Sequence, residues 1–321
     1  MSKILGIGNA LIDIVVELDS DSLLKKYGFA KGSQEHVEKS VFDAFYQELK
    51  MDGARQIPGG SAANVLHPLA HLNYKTSCIG AIGDDAWGKM FEEDMKQAGI
   101  HFHPIRKTGD TGKVLHLITP DREKTIIGYT GVNDQLVAED LEDQYFSSYT
   151  HLVVDGFLTS NEEFLQAFLE REDLQYARVV FDMASSHIAE GHREFLKRLI
   201  RKHVDVLFAN DLEAFSYTGN EPERGIRSMA KDCDLVVIKK GSKGSMVQRG
   251  SEFYNLAAAP SRLVDDTGAG DMYAAGFLYG LLKNYHLTHC GKIASFLASK
   301  VLEVEGARLS ADKWRTLKKM I

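Results

Sequence analysis

A chain of 321 residues, 44% of them hydrophobic, is long enough to bury one large core with an appendage. Its formal net charge of -7 and the lack of any basic cluster exclude a nucleic-acid-binding surface, and no stretch reaches the length of a membrane span. Cys78, Cys233 and Cys290 lie far apart without metal-type spacing and read as buried thiols of a reducing compartment. The opening MSKILGIGNALIDIVVELD is interrupted by Asn9 and Asp13 and has no signal-peptide core, so a cytoplasmic protein is expected.

Residues 4–8 form a short apolar run, the signature of a buried first strand. Gly6-Ile7-Gly8 does not continue into a dinucleotide fingerprint, because Leu11 stands where the third glycine belongs. Asp13 lies among Leu11, Ile12, Ile14, Val15 and Val16. A carboxylate in such a setting needs a partner, either a structural hydrogen bond or a pair of substrate hydroxyls. From residue 14 to about 50 the pattern is that of a small β-rich excursion with helical pieces at 21–27 and 40–51.

Pro58-Gly59-Gly60-Ser61-Ala62-Ala63-Asn64 opens a helix reaching about residue 72, with Ser61 as the expected N-cap and Pro68 expected to kink or shorten it. Paired glycines let a ligand approach the backbone, and Asn64 is placed either to bond a ligand hydroxyl or to cap the turn. His67 and His71 have Pro68 between them and no HExxH glutamate, which argues against zinc. A strand is expected at 76–79 and a helix at 89–98, with Asp84-Asp85 serving turn and cap. Gly109-Asp110-Thr111-Gly112-Lys113 is no Walker loop, since Lys107 stands at its first glycine and Val114 at its hydroxyl position. Alternation over residues 100–129, split at Pro120-Asp121-Arg122, predicts a hairpin that pairs with the first excursion in one small sheet.

Beyond Gly131 the rhythm becomes regular: strands at 151–154, 178–182, 204–209 and 235–239, helices at 161–170, 191–201 and 211–217. That alternation implies a parallel sheet covered on both faces, with ligands outside the carboxyl ends of its strands. Asp182, Asn210-Asp211-Leu212-Glu213 and Lys240-Gly241-Ser242-Lys243-Gly244 fall there. Asn210 and Glu213 suit either a magnesium ion held through water or a capping box. The lysine-glycine loop suits either nucleotide phosphates or a hairpin turn. Asp265-Asp266-Thr267-Gly268-Ala269-Gly270-Asp271 then leads into an apolar helix. Small residues let the first N–H groups point at one anion, whose charge the helix dipole favours. An aspartate there is either an ordinary first-turn acid or the base that prepares a nucleophile for attack on phosphorus.

The glycine pair with Asn64, the Gly80–Gly88 turn, NDLE and DDTGAGD followed by Ala-Ala-Gly-Phe occur in the order found in the ribokinase-like (PfkB) kinases, and the chain resembles that family over nearly its whole length. The resemblance implies an α/β fold, a three-layer α/β/α domain with a mostly parallel sheet spanning 1–321, and a small β-sheet lid from insertions at about 14–50 and 100–130. It implies Asp271 as catalytic base and the backbone of Gly268, Ala269 and Gly270 as anion hole. Asn9, Asp13, Gly59, Gly60 and Asn64 match acceptor-binding positions. Asn210 and Glu213 match the family's magnesium motif, and Lys240, Gly241, Gly244, Asp265 and Thr267 lie on the nucleotide side. ATP and Mg2+ are the implied cofactors, together with a monovalent cation such as K+. Asp266 replaces the family's threonine, which puts nearby nucleotide or cation contacts in doubt.

Gly8-Asn9-Ala10-Leu11-Ile12-Asp13, Thr125–Val132 and Phe181-Asp182-Met183-Ala184-Ser185 are most similar to the adenosine kinase branch. The expectation is transfer of the γ-phosphoryl to a primary hydroxyl, the 5′-OH of adenosine or a related nucleoside. A sugar kinase of the same family and a non-catalytic nucleoside sensor are the alternatives. The expected partners are a small-molecule acceptor and ATP, with no nucleic acid or membrane, in a monomer or homodimer.

Overall fold

Strands whose residues are all apolar must be covered on both faces, and that requirement organises the large sheet. The computed structural model describes residues 3–146 and 149–321. Nine strands lie in the spatial order Glu252–Leu256, Ser245–Arg249, Leu235–Lys239, Val206–Asn210, Arg178–Asp182, His151–Asp155, Lys3–Ile7, Lys75–Gly83 and His101–Lys107. Neighbours are parallel except at Ser245–Arg249, which is antiparallel to both its partners.

Successive side chains go to opposite faces and to separate apolar clusters. Ile4, Val153, Val180, Phe208 and Val237 join one, while Leu5, Val154, Phe181, Leu207 and Val236 join the other. Helices Ser61–His71, Ala269–Leu282 and Leu287–Val301 cover the first face. Helices Glu162–Leu169, Arg193–His203, Asp211–Thr218 and Pro222–Met229 cover the second. Phe208 and Phe277 meet edge-on at 5.7 Å, and a fully buried side chain of this size contributes about 1.5–3 kcal/mol. A Cβ at Gly276 would lie 2.7 Å from Ala294 Cα, so the two long helices pack backbone to backbone there.

A second sheet has the order Gln34–His36, Lys124–Gly131, Thr111–Ile118, Leu11–Glu17, Arg55–Gly59. Ile12, Ile14, Leu115, Leu117 and Ile127 on one face pack with Leu24, Phe42 and Phe45 of helices Ser22–Tyr27 and Lys39–Glu48. The opposite face carries Asp13, Val114, His116 and Lys124, and Lys124 touches the 265–267 loop. The hairpin at Pro120-Asp121-Arg122 is present, with Thr119 and Arg122 closing the turn and Arg122 at φ 67°.

Several sequence expectations are corrected. His101–Lys107, assigned to the second excursion, is an edge strand of the large sheet, parallel to Lys75–Gly83. An edge strand alternates in the same way as a strand of a half-exposed small sheet, so pattern alone does not separate them. The first excursion begins earlier, at Leu11, and extends to Gly59. Pro68 does not end its helix, which runs to His71. The helix expected at 89–98 starts at Ala86, because Asp85 accepts the Gly88 N–H at 2.7 Å. Ser61 is not the N-cap. Gly60 is, at φ 95°.

Candidate active site

The packing of helices Ser61–His71 and Ala269–Leu282 on one face brings both N-termini to the carboxyl edge of the large sheet. Gly268, at φ 72°, turns the chain into the second helix, and a Cβ there would run into Ala307. Asp271 lies in the first turn. Its Oδ1 accepts the Ser61 hydroxyl at 2.7 Å, and its Oδ2 accepts the Asn64 amide at 2.7 Å. Burial pushes its pKa up to about 6, aided by the nearby Asp182 charge and opposed by Ser61, Asn64 and Lys239. Such a carboxylate is ionised at neutral pH, yet is a stronger base than an exposed one. It can take a proton from a bound hydroxyl.

Strand ends supply the surrounding charges. Lys239 closes Leu235–Lys239 and donates to Asp182 Oδ2 at 2.7 Å. Burial pulls its pKa down, but Asp182, Glu213 and Asp271 outweigh that and keep it charged. The ammonium lies 3.3 Å from where a Cβ on Gly270 would stand, beside the glycine run. Asp155, at the end of His151–Asp155, is pushed up to about 7 by burial and by the charges of Asp271 and Asp182, although it accepts the Phe157 N–H at 3.0 Å. Lys239 is thus one cation serving several buried acids.

Asn210 and Glu213 form the capping box in full. Asn210 Oδ1 accepts the Glu213 N–H at 2.8 Å, and Glu213 accepts the Asn210 N–H at 2.7 Å and its side-chain amide at 2.8 Å. Burial raises the Glu213 pKa, and Lys239 opposes the rise. Both Glu213 oxygens already accept hydrogen bonds and the side chain is 4% exposed, so direct ligation of magnesium does not fit. Contact through an ordered water is the mode left to this pair. Lys240–Gly244 turns Leu235–Lys239 into its antiparallel neighbour as a hairpin. Gly244, at φ 85°, is required because a Cβ would strike Leu256 O, whereas the same position on Gly241 is open.

On the acceptor side, Asp13 Oδ1 lies 3.0 Å from His116 Nε2. A Cβ on Gly59 would strike Asp13 Oδ2, and one on Gly60 would strike Asn9 O, so the glycine pair exists for close approach between strands as well as for any ligand. Asn9 borders an open pocket of about 610 Å³ whose walls include Asn133, Asp134, Glu162, Glu163 and His192, and which Asp13, Asn64 and Asp271 do not line. Asn64, expected on a substrate hydroxyl, gives its amide to Asp271, and its buried Oδ1 has no hydrogen-bond partner.

Asp265 belongs to the loop rather than the cavity. Its Oδ1 accepts the Thr267 N–H at 3.0 Å and hydroxyl at 2.8 Å, and its Oδ2 accepts the Gly306 N–H at 2.8 Å. Burial raises its pKa, but those donors and Lys124 prevail and bring it down to about 2.

Sequence reasoning missed four contributors: Ser61 as a donor to the base, Lys239, His116 and Lys124. Lys239 had a signal, since a lysine ending the apolar run Leu235-Val236-Val237-Ile238 belongs at the ligand edge. Ser61 was masked by a capping role that fitted equally well. His116 and Lys124 are contacts across elements distant in sequence and left no local pattern.

A large sheet whose carboxyl edge meets a glycine-led helix mouth, with a second sheet alongside, is the ribokinase-like fold, and its proteins transfer phosphoryl groups to alcohols. Residues 37–314 match the pfkB family carbohydrate kinases, and the chain belongs to that family. It is therefore a phosphotransferase acting on a hydroxyl, with the family's use of ATP. A probable sugar kinase from Rhizobium etli superposes with a TM-score of 0.89 at 26% identity, covering 99% of this chain and 98% of that one. An adenosine kinase from Sinorhizobium meliloti gives 0.87 at 28% identity, covering 100% and 99%. An ATP-dependent ribose-1-phosphate kinase from Halopiger xanaduensis is 29% identical over 265 residues, 81% of this chain and 86% of that protein.

Proposed function

We propose that the chain phosphorylates the 5′-hydroxyl of adenosine or a related nucleoside, with Asp271 as base. The observation that carries the chemistry is the Asp271 carboxylate, raised to about 6 and held by Ser61 and Asn64 at the mouth of a glycine-led helix. Asp271 removes the hydroxyl proton while the hydroxyl oxygen forms its bond to the γ-phosphorus and the bond to the β-phosphate oxygen breaks, releasing ADP. The N–H groups of Gly268 and Gly270 hold the transferred oxygens, the Ala269 N–H being taken by Asp266 O at 3.1 Å, and Lys239 adds positive charge beside them. Asp13, fixed by His116, and Asn9 and Asn64 meet the acceptor hydroxyls. Lys240, Gly241, Gly244 and Thr267 border the nucleotide. Asn210 and Glu213 would hold magnesium through an ordered water, and the ion would supply positive charge against the phosphates. The second sheet acts as the lid that limits water at the reacting phosphorus.

The nucleoside choice is supported by the likeness to the Sinorhizobium adenosine kinase. An ATP-consumption screen over nucleosides and free sugars tests it. Turnover with adenosine or a close analogue is expected. Turnover with sugars alone would make the chain a sugar kinase. Ligand-induced thermal stabilisation without any phosphorylated product would make it a binding protein.

A further inference from the structure

Asp266 adds a second negative charge next to Asp265 in the loop that leads into the glycine run. Across from these acids stands Lys124, the first residue of strand Lys124–Gly131 in the second sheet. Its Nζ lies 3.3 Å from Asp265 Oδ1 and 3.2 Å from Thr267 Oγ1, and it also contacts Asp266 Oδ1. The Lys124 side chain is 23% exposed and that of Asp265 15%, so this pair is half-buried, whereas Asp266, at 67%, meets the ammonium from the solvent side.

The loop it holds is the one that sets the glycine run. Asp265 ties Thr267 to Gly306, Asp266 O accepts the Ala269 N–H at 3.1 Å, and Gly268 then turns the chain into the helix of Asp271. No other cation contacts Asp265 or Asp266 among the described residues. The second sheet grips the neighbouring segment too: Arg55 pairs with Glu305, and Arg308 donates to Pro58 O at 3.2 Å. The charge balance of the loop therefore comes from the other sheet.

We propose that Lys124 is a positioning residue for phosphoryl transfer, its ammonium acting as a built-in cation that fixes the 265–268 loop only while the second sheet lies over the site. The proposal rests on the kinase reading for its catalytic part. Lys124 bonds to Asp265, Asp266 and Thr267 and not to Asp271. Its effect passes through the loop to the N–H groups of the glycine run.

The test is Lys124→Met, which leaves two adjacent carboxylates without a cation. We expect kcat to fall about tenfold while the acceptor KM stays within about threefold. Ammonium chloride should restore part of the loss, and equimolar tetramethylammonium chloride, too large to enter, should not. Adding Asp266→Asn to Lys124→Met should also recover activity by removing one of the facing charges, and Lys124→Arg should stay close to the parent. Amide hydrogen exchange at Thr267 and Ala269, whose N–H groups are bonded to Asp265 Oδ1 and Asp266 O, should quicken in unliganded Lys124→Met and slow again with ammonium. The proposal is overturned if Lys124→Met keeps its kcat and its exchange rates, or if it loses activity that neither ammonium nor Asp266→Asn recovers. A parent protein that turns over no acceptor would defeat the kinase reading instead, and the exchange measurement would still judge the clasp.

Discussion

Asp265 and Asp271 stand on either side of Gly268, and their surroundings push them in opposite directions. Asp265 accepts two backbone N–H groups and a hydroxyl and faces an ammonium, so its pKa falls to about 2. Asp271 is buried beside the Asp182 charge, and its two side-chain donors do not offset that, so its pKa rises to about 6. A carboxylate saturated with donors has no use for a proton, whereas one short of donors is poised to accept it. The first shapes the loop and the second is equipped for chemistry. Sequence proximity says nothing about which is which.

The largest break in this contrast is Asp271→Asn. Turnover in a coupled ATP assay should fall about a thousandfold, within the range of a lost general base. A folded-state pKa above the unfolded one means stability that is full at low pH and lost as pH rises between about 4 and 6. Removing the ionisable group should therefore raise the melting temperature at pH 8 relative to the parent, with the difference shrinking by pH 4. A variant that lost activity and stability together at pH 8 would point to a structural acid.

Lys239→Met comes next. It withdraws the cation that restrains Asp271, so the acidic limb of the kcat/KM profile should move up by about one pH unit. An unmoved limb would separate Lys239 from the base. Asp265→Asn probes the other member of the pair. Its depressed pKa supplies stability above the unfolded value near 4, lost as pH falls toward 2. Thermal melts should show a destabilised variant at pH 7 and a gap to the parent that closes between pH 4 and 2. Ser61→Ala has the smallest expected effect: the acidic limb should shift upward by less than about one unit, with turnover at pH 8 within about threefold.

The large sheet was legible because Val153, Val180, Phe208 and their neighbours sit in runs too apolar to be anything but covered strands. The helix mouth was legible because glycine and aspartate there serve a backbone need that shows in local sequence. What escaped were choices among roles that share one spacing. Asn210 and Glu213 fit a cap and a metal equally well until the reciprocal bonds were seen. Ser61 had the chemistry of an N-cap, but Gly60 took the turn and freed the hydroxyl for Asp271. His101–Lys107 alternates as a small-sheet strand does, and only its pairing with Lys75–Gly83 assigns it. Lys124 illustrates the limit further, since an ion pair across 142 positions leaves no periodic trace.

Lys3–Ile7 precedes the other strands of the large sheet in chain order, yet it lies inside the sheet, third from the His101–Lys107 edge, between Lys75–Gly83 and His151–Asp155. It has no partner until the first of these has been made and is enclosed only when the second arrives. From His151–Asp155 onward each new strand is laid beside the one before it, out to Glu252–Leu256. Assembly thus divides into an early stage that waits on distant pairings, with loop closure entropy to overcome, and a later stage of stepwise accretion. A core strand that waits on a distant partner with both edges open is a template for misassociation.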